Sequence, residues 1–289
     1  MVWLGGGPSR ARCALAAVLV MLGLLSDWSC RRARVEGGGQ GAESLQDVAD
    51  ARVAGLGAKR IFFGHQSVGG NIMDGVADVV RRDPRLALEI TDSAGTLDGG
   101  RGVFVHRRIG KNGDPSGKTD EFARLMEAGL GNKVDVAFHK YCFADIGADT
   151  DVRTLFEHYR ATMTRLRAEF PRAVFVHVTT PVVKVQSGLR AEVKKLLGRE
   201  PDHYADNLAR ERFNDLMRKA YGGKEPLFDL AALESTRPDG AREAITFRGA
   251  TSFAMVPTYT PDGGHLNEAG RAVVAEQLLV LLAGLPGSR

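Results

Sequence analysis

The sequence predicts an α/β fold in which a parallel sheet is covered by helices on both faces. Three observations carry that expectation. From about residue 58, short β-branched or aromatic runs alternate with longer amphipathic stretches. The five strand candidates suit one sheet, and the closing stretch, 267–284, has a broad apolar face made by Val273, Val274, Leu278, Leu279, Leu281 and Leu282.

Residues 1–30 stand apart from that fold. Arg10 and Arg12 precede an uncharged run over 13–26 (CALAAVLVMLGLLS), the basic and apolar regions of an export signal. The run is shorter than the roughly 20 residues a helix needs to cross a bilayer, and Asp27 follows at once. Cys30 stands where a lipoprotein signal has its acylated cysteine, although Asp27 and Trp28 replace the aliphatic and small residues preferred there. The expected location is therefore exported: periplasmic, envelope-associated or extracellular. Membrane attachment is expected only through an N-terminal lipid anchor or an uncleaved signal. Residues 31–57 read as a linker and lead-in, with 35–43 (VEGGGQGAE) as a flexible tether, and 58–289 as the folded domain.

Within that domain the strand candidates are 60–64 (RIFFG), 86–91 (LALEIT), 134–139 (VDVAFH), 173–178 (AVFVHV) and 227–230 (LFDL). Helices are expected at 70–82, 119–129, 151–169, 204–221 and 267–284, the last capped by Asn267. Two segments fall outside the alternation: 92–118, rich in glycine and charge, and 231–264, rich in Pro, Thr and Gly. Both read as long loops, which in compact domains are often functional.

Composition excludes several classes. Lys and Arg number 39 against 35 Asp and Glu, and the resulting +4 forms no long basic run, too little to indicate a nucleic-acid partner. With 44% hydrophobic residues the chain can bury a core without disulfides or metal. Cys13 and Cys30 belong to the signal, which leaves Cys142 alone in the folded part with no intramolecular partner. No HExxH or paired-cysteine pattern is present, so neither a metal nor another cofactor is expected.

Two motifs could carry chemistry. Gly64-His65-Gln66-Ser67-Val68-Gly69-Gly70 follows the RIFF strand and leads into a helix, so Ser67 stands at the strand-to-helix junction. Free N–H groups at a helix start can stabilise an oxyanion there, although a serine in that place also reads simply as a cap. Asp262-Gly263-Gly264-His265-Leu266-Asn267 lies just before the last helix. A nucleophilic serine needs a base near neutrality and a carboxylate that fixes its tautomer, and a D-x-x-H turn can supply both. The same turn could serve only to satisfy backbone groups. The G-x-S-x-G elbow of α/β-hydrolases is absent, because Gln66 and the Gly64-to-Ser67 spacing break it.

A serine in a Gly-x-x-Ser turn after the first strand, with Asp-x-x-His before the last helix, resembles the SGNH (GDSL-type) hydrolase superfamily over about residues 58–285. The resemblance implies a flavodoxin-like three-layer α/β/α sandwich with strand order 2-1-3-4-5. It also implies Ser67 as nucleophile, His265 as general base and Asp262 as its orienting partner. Gln66 replaces the usual aspartate before the serine. The family's oxyanion hole combines the serine N–H, a glycine N–H after the second strand and an asparagine after the third. The glycine position falls in 109–117 (IGKNGDPSG), with Gly110 favoured and Gly113 and Gly117 as alternatives. After the third strand the chain reads Lys140-Tyr141-Cys142-Phe143-Ala144-Asp145, without the asparagine, and Asn112 is the proposed replacement. Asn112 reads equally well as a turn residue.

Lys140, Cys142 and Asp145 form a polar cluster at the end of a buried strand candidate, the sheet edge where such folds bind ligands; Lys140 and Asp145 could pair. That cluster reads also as a structural ion pair beside a buried thiol. A Cys142 nucleophile paired with His265 is an alternative that fits the junction position less well than Ser67. His65, two residues from Ser67, could touch substrate, while His139 and His177 read as packing groups. Asn207, Arg210, Arg212 and Asn214 read as a solvated helix face, and Asp229 and Glu234 as support for Asp262.

The function these features imply is that of an exported serine esterase acting on an ester-bearing small molecule or glycan, such as an O-acetylated envelope polysaccharide. The alternatives are a non-catalytic glycan-binding envelope protein on the same fold and an O-acyltransferase.

Overall fold

A computed structural model describes residues 43–99 and 102–286. The expected export signal at 1–30, with Cys30, and most of the expected tether lie outside the described residues. Residues 43–58 form part of the domain: Leu45, Val48, Val53 and Leu56 are buried in its core, and Val53 belongs to a short helix α1 (Asp50–Ala54).

The first strand, β1 (Arg60–His65), runs directly into helix α2 (Ser67–Arg82). β2 (Glu89–Thr91), β3 (Val103–Arg108), α3 (Pro115–Glu127), β4 (Val136–His139) and α4 (Val152–Glu169) follow. The chain continues through β5 (Val174–Phe175), β6 (His177–Val178), α5 (Leu189–Leu196), α6 (Tyr204–Tyr221), β7 (Leu227–Phe228) and α7 (Leu230–Ser235). A hairpin of β8 (Ala244–Phe247) and β9 (Ala250–Phe253) precedes the last helix, α8 (Glu268–Gly284).

The strands β2-β3-β1-β4-β5 form one parallel five-stranded sheet. Val176 donates to Ala137 O between β5 and β6, and β6 pairs in parallel with β7, so the same run of chain meets a neighbour on each side. Apart from the edge strand β2, the spatial sequence is the expected 2-1-3-4-5. Side chains alternate across the sheet. Ile61, Phe63, Val136 and Phe138 face a core shared with α1, α2 and α8, while Phe62, Ala137 and Phe175 face one shared with α3, α4 and α6. Each fully buried Phe contributes roughly 1.5–3 kcal/mol, and helices on both faces make the three-layer α/β/α sandwich.

The strand beside β1 lies elsewhere than expected. Segment 92–118 contains it as β3, whereas the candidate at 86–91 is only the short edge strand β2. In β3 Val103, Phe104 and Val105 are fully buried, but His106, Arg107 and Arg108 at its carboxyl end give the segment the composition of a loop. Segment 231–264 likewise holds most of α7 and the β8–β9 hairpin. The hairpin's two turn residues, Arg248 (φ 48°) and Gly249 (φ 78°), are both left-handed, as a two-residue turn between strands requires. Helix α3 begins earlier than periodicity indicates, because Pro115 opens it and Asp114 caps it by accepting from Gly117 N–H at 2.8 Å.

Candidate active site

The end of β1 and the start of α2 hold Ser67. Gln66 adopts an extended backbone (φ −126°, ψ −156°) and Ser67 is the first residue of the helix. Its side chain is half-buried. The N–H groups of Ser67, Val68 and Gly69 in this first turn have no partner within the helix. The Gln66 amide reaches across to β3's exit, donating to the carbonyls of Ile109 and Gly110 at 2.8 Å each. A side chain at Gly69 would put its Cβ 2.2 Å from that of His65, so the tight strand-to-helix turn needs glycine there.

The second motif arrives on the turn before α8. Asp262 Oδ1 accepts the backbone N–H groups of Gly264 and His265, each at 2.9 Å, and Oδ2 lies 2.7 Å from His265 Nδ1. The N–H groups of His265 and Gly264, with the His265 ring, hold the Asp262 carboxyl well below the usual carboxylate range. An ionised Asp262 places the imidazole proton on Nδ1 and leaves Nε2 as an acceptor. Nε2 lies 3.0 Å from Ser67 Oγ. The structure thus brings Ser67, His265 and Asp262 into one hydrogen-bonded chain.

Several local features fix that turn. Gly263 has φ 98°. Leu266 N–H donates to Asn71 Oδ1 on α2 at 3.3 Å, and Asn267 caps α8 by accepting from Gly270 N–H at 3.0 Å. The Phe143 ring meets the His265 ring edge-on, with centroids 5.6 Å apart. A Cβ at Gly264 would approach that phenyl ring to 2.9 Å.

The expected oxyanion donors are arranged differently. Gly110, with φ 58°, donates its N–H to Glu121 Oε2 at 2.8 Å instead of presenting it to the site. A Cβ there would come within 2.5 Å of Lys118 Cγ, so glycine serves a tight turn over Lys118. The alternatives are engaged as well: Gly113 N–H donates to Asp145 Oδ1 at 2.8 Å and Gly117 N–H to Asp114. Asn112 is exposed, and its Oδ1 accepts from Lys118 Nζ at 2.9 Å, which leaves Nδ2 as the end of the amide that can donate elsewhere.

Asp145 pairs with Lys118 at 2.5 Å and not with Lys140; both partners have fully buried side chains. Lys118 gives no signal in the sequence because it falls at the end of segment 92–118, whose charged residues read as a solvent-facing loop. Asp145 also accepts the Cys142 N–H at 2.6 Å, so one carboxylate ties the 109–117 loop to the end of β4. Lys140 is buried, donates to Tyr141 O at 3.1 Å, and has its ammonium pushed down in pKa by burial. Cys142 is buried at the start of a 3₁₀ turn. His65 does not face the cleft: its Nδ1 meets Gln66 O at 2.7 Å, its Nε2 meets His106 Nδ1 at 2.9 Å, and burial pushes its pKa down to about 3.

Of the helix face read as solvated, Arg212 is exposed as expected, whereas Asn207, Arg210 and Asn214 are buried. Asn207 accepts Val183 N–H and donates to Val183 O, and Asn214 does the same with Thr180, so two amide side chains act as a strand partner for 180–183. Arg210 bonds Asn207 and, through Nε, the Phe143 carbonyl at 3.0 Å, which holds the aromatic wall beside His265. Asp229 pairs with Arg218 and caps α7, and Glu234 accepts Val182 N–H at 2.8 Å; neither contacts Asp262. The i, i+3 and i, i+7 spacing of Asn207, Arg210 and Asn214 was the available signal for an inward polar face.

A cleft of about 590 Å³ opens beside the Asp262–His265 turn, walled by Phe143, Lys184, Gln186, Asp202, His203 and Arg210 among others. Among the described residues no cluster of three or more His, Cys, Asp or Glu side chains is placed to hold a metal ion.

No family model and no curated protein matches the sequence. Among solved structures, the chain is similar to an acetyl-xylooligosaccharide esterase from Geobacillus (12% identity, 81% of this chain and 97% of that one, TM-score 0.48). It is similar also to a GDSL-like lipase from Parabacteroides merdae (12% identity, 78% and 96%, TM-score 0.48) and to the periplasmic domain of a lipopolysaccharide acetyltransferase from Salmonella (12% identity, 77% and 83%, TM-score 0.42).

Proposed function

We propose that the protein is an exported serine ester hydrolase that works through an acyl-enzyme. The observation that carries the reading is the continuous relay from Asp262 Oδ2 through His265 to Ser67 Oγ. In the first step Ser67 Oγ attacks the ester carbonyl while its proton passes to His265 Nε2. The imidazolium that forms is stabilised by ionised Asp262. The oxyanion is held by first-turn N–H groups of α2, Ser67 foremost, and by the Asn112 amide. Collapse of the tetrahedral intermediate expels the alcohol, which takes the proton from Nε2. Water then attacks the acyl-Ser67 carbonyl with the same base, and the acid leaves. Arg10, Arg12 and the apolar run at 13–26 support export and an envelope or extracellular ester.

A second reading, O-acyl transfer, draws on the cleft. Lys184, Gln186, Asp202 and Asp206 offer hydrogen-bonding groups beside His265 that suit a hydroxylated acceptor in place of water. A protein that only binds glycans has no need of an assembled nucleophile and base. The test is labelling by a serine-directed fluorophosphonate together with turnover of an acetyl-to-octanoyl ester panel, in wild type and in Ser67→Ala. Labelling and turnover in the wild type, both absent from Ser67→Ala, are expected. A wild type that neither labels nor turns over any ester would exclude the hydrolase. Product partitioning with and without added sugar distinguishes transfer from hydrolysis.

A further inference from the structure

Among the described residues the large apolar side chains left exposed are four, and all belong to one segment: Leu189 (86%), Val193 (55%), Leu196 (87%) and Leu197 (67%). Single exposed apolar residues are ordinary, whereas a cluster of this kind marks an interaction surface. Their i, i+4, i+7, i+8 spacing on α5 and its cap confines them to an arc of about 100°. Ala191, on the opposite side, is buried.

The charges around that arc say what covers it. Arg190 borders it on one side, with Lys194 beyond, and Glu192 borders it on the other; Lys195 lies behind, with Ala191, and Arg199 and Glu200 follow the helix, so basic groups outnumber acidic ones. Arg248 donates to Gly198 O at 2.7 Å and adds another cation at the same end. Lys194 pairs with Asp202 and Lys195 with Glu192, but both carboxylates are well exposed, and such pairs exchange readily for other anions. Gly188 (φ 77°) and Gly198 (φ 67°) bracket the helix with left-handed turns that other residues adopt poorly. The arc is aliphatic, without the Trp, Tyr or Arg anchors at its centre that mark protein-binding hot spots. A narrow aliphatic stripe on a segment with an excess of long basic side chains is the pattern of a helix lying in a membrane interface.

We propose that α5 docks onto an anionic phospholipid bilayer. Leu189, Val193, Leu196 and Leu197 enter the acyl region, and Arg190, Lys194, Arg199 and Arg248 reach headgroup phosphates. The residues that flank α5, Gln186 before it and Asp202 after it, line the cleft beside His265, so docking places that cleft at the lipid surface. The assignment does not depend on Ser67 being a nucleophile.

The test is hydrogen exchange read by mass spectrometry on the full chain, with vesicles of equal phosphatidylglycerol and phosphatidylcholine. Local protection is the readout because the apolar run at 13–26 could bring the protein to vesicles by itself. Exchange over 189–197 should slow by about tenfold. The protection should vanish on phosphatidylcholine alone and in about 0.5 M salt, where charge attraction is screened within a few ångströms. It should also vanish in the variant combining Leu196→Ser and Leu197→Ser, whose thermal unfolding stays at the wild-type temperature. Unchanged exchange on the anionic vesicles overturns the proposal. So does equal protection on phosphatidylcholine, or protection already present without vesicles, which would mean that this chain or a second copy covers the helix.

Discussion

Gly75 on α2 and Arg271 on α8 pass so closely that a Cβ at position 75 would lie 2.6 Å from the Arg271 carbonyl oxygen and 2.9 Å from the Ala275 methyl. Ser67 begins the first of these helices and His265 stands just before the second. The glycine contact therefore sets the separation of two residues that are 198 positions apart in sequence and 3.0 Å apart in space.

Gly75→Ala should accordingly push the helices apart. The expected cost is about 1–3 kcal/mol of stability, typical of overpacking, together with a lower kcat on any ester the wild type accepts. Urea unfolding and turnover measured on one preparation check both. A Gly75→Ala variant with wild-type stability and rate would show that the interface can absorb a methyl group.

Asp262→Asn removes the charge while keeping a side chain that can accept the N–H groups of Gly264 and His265. The imidazole loses the acceptor that fixes its proton on Nδ1, so kcat should fall by at least about 100-fold with KM little changed. Steady-state kinetics on a soluble ester measure this.

Asn112→Ala tests the oxyanion assignment. Loss of one donor costs about 100- to 1,000-fold in kcat; because the substitution also removes an acceptor from the buried Lys118 ammonium, urea unfolding of the same preparation separates a loss of stability from the loss of rate. Unchanged turnover would assign Asn112 to the turn alone and leave the helix N–H groups of α2 as the donors.

Lys118→Met strands Asp145 in the interior, where both side chains are fully buried. Asp145 keeps the N–H groups of Gly113 and Cys142 but loses its counter-charge. Breaking such a pair costs about 3–5 kcal/mol. Adding Asp145→Asn should recover part of that loss, as equilibrium unfolding of the three proteins would show.

Acid should destabilise the fold through His139 and His65, each pushed down to about 3 by burial. His139 is completely buried among Phe122, Tyr141 and Tyr159, with neither ring nitrogen hydrogen-bonded. A folded-state pKa below the unfolded value of about 6.5 gives a contribution that is full above that pH and is lost as pH falls towards the folded value, on the order of 2 kcal/mol per ring at pH 5. Glu234 acts in the opposite sense, because burial raises its carboxyl and the protonated form belongs to the fold. His139→Phe isolates one ring: between pH 7 and pH 5 it should lose about 2 kcal/mol less stability than wild type. Equal losses in the two proteins would contradict the assignment.

What could be read from sequence is what short-range chemistry fixes. The RIFF strand and the glycines after it put Ser67 at a strand-to-helix junction. A three-residue separation was enough to let Asp262 hold His265, since a turn of that length closes within itself. Helix α6 follows its apolar periodicity over 204–221, and the arrangement of a parallel sheet between two helical layers follows from the alternation of patterns. The rest depended on partners distant in the chain. Whether Gly110 offers its N–H to a substrate was decided by Glu121, and the partner of Asp145 by Lys118. The buried face of Asn207 and Asn214 was decided by the backbone groups of Val183 and Thr180 that needed bonds. A hydrogen-bonding group is free or taken only in three dimensions, because burial obliges each donor to find an acceptor wherever the fold brings one.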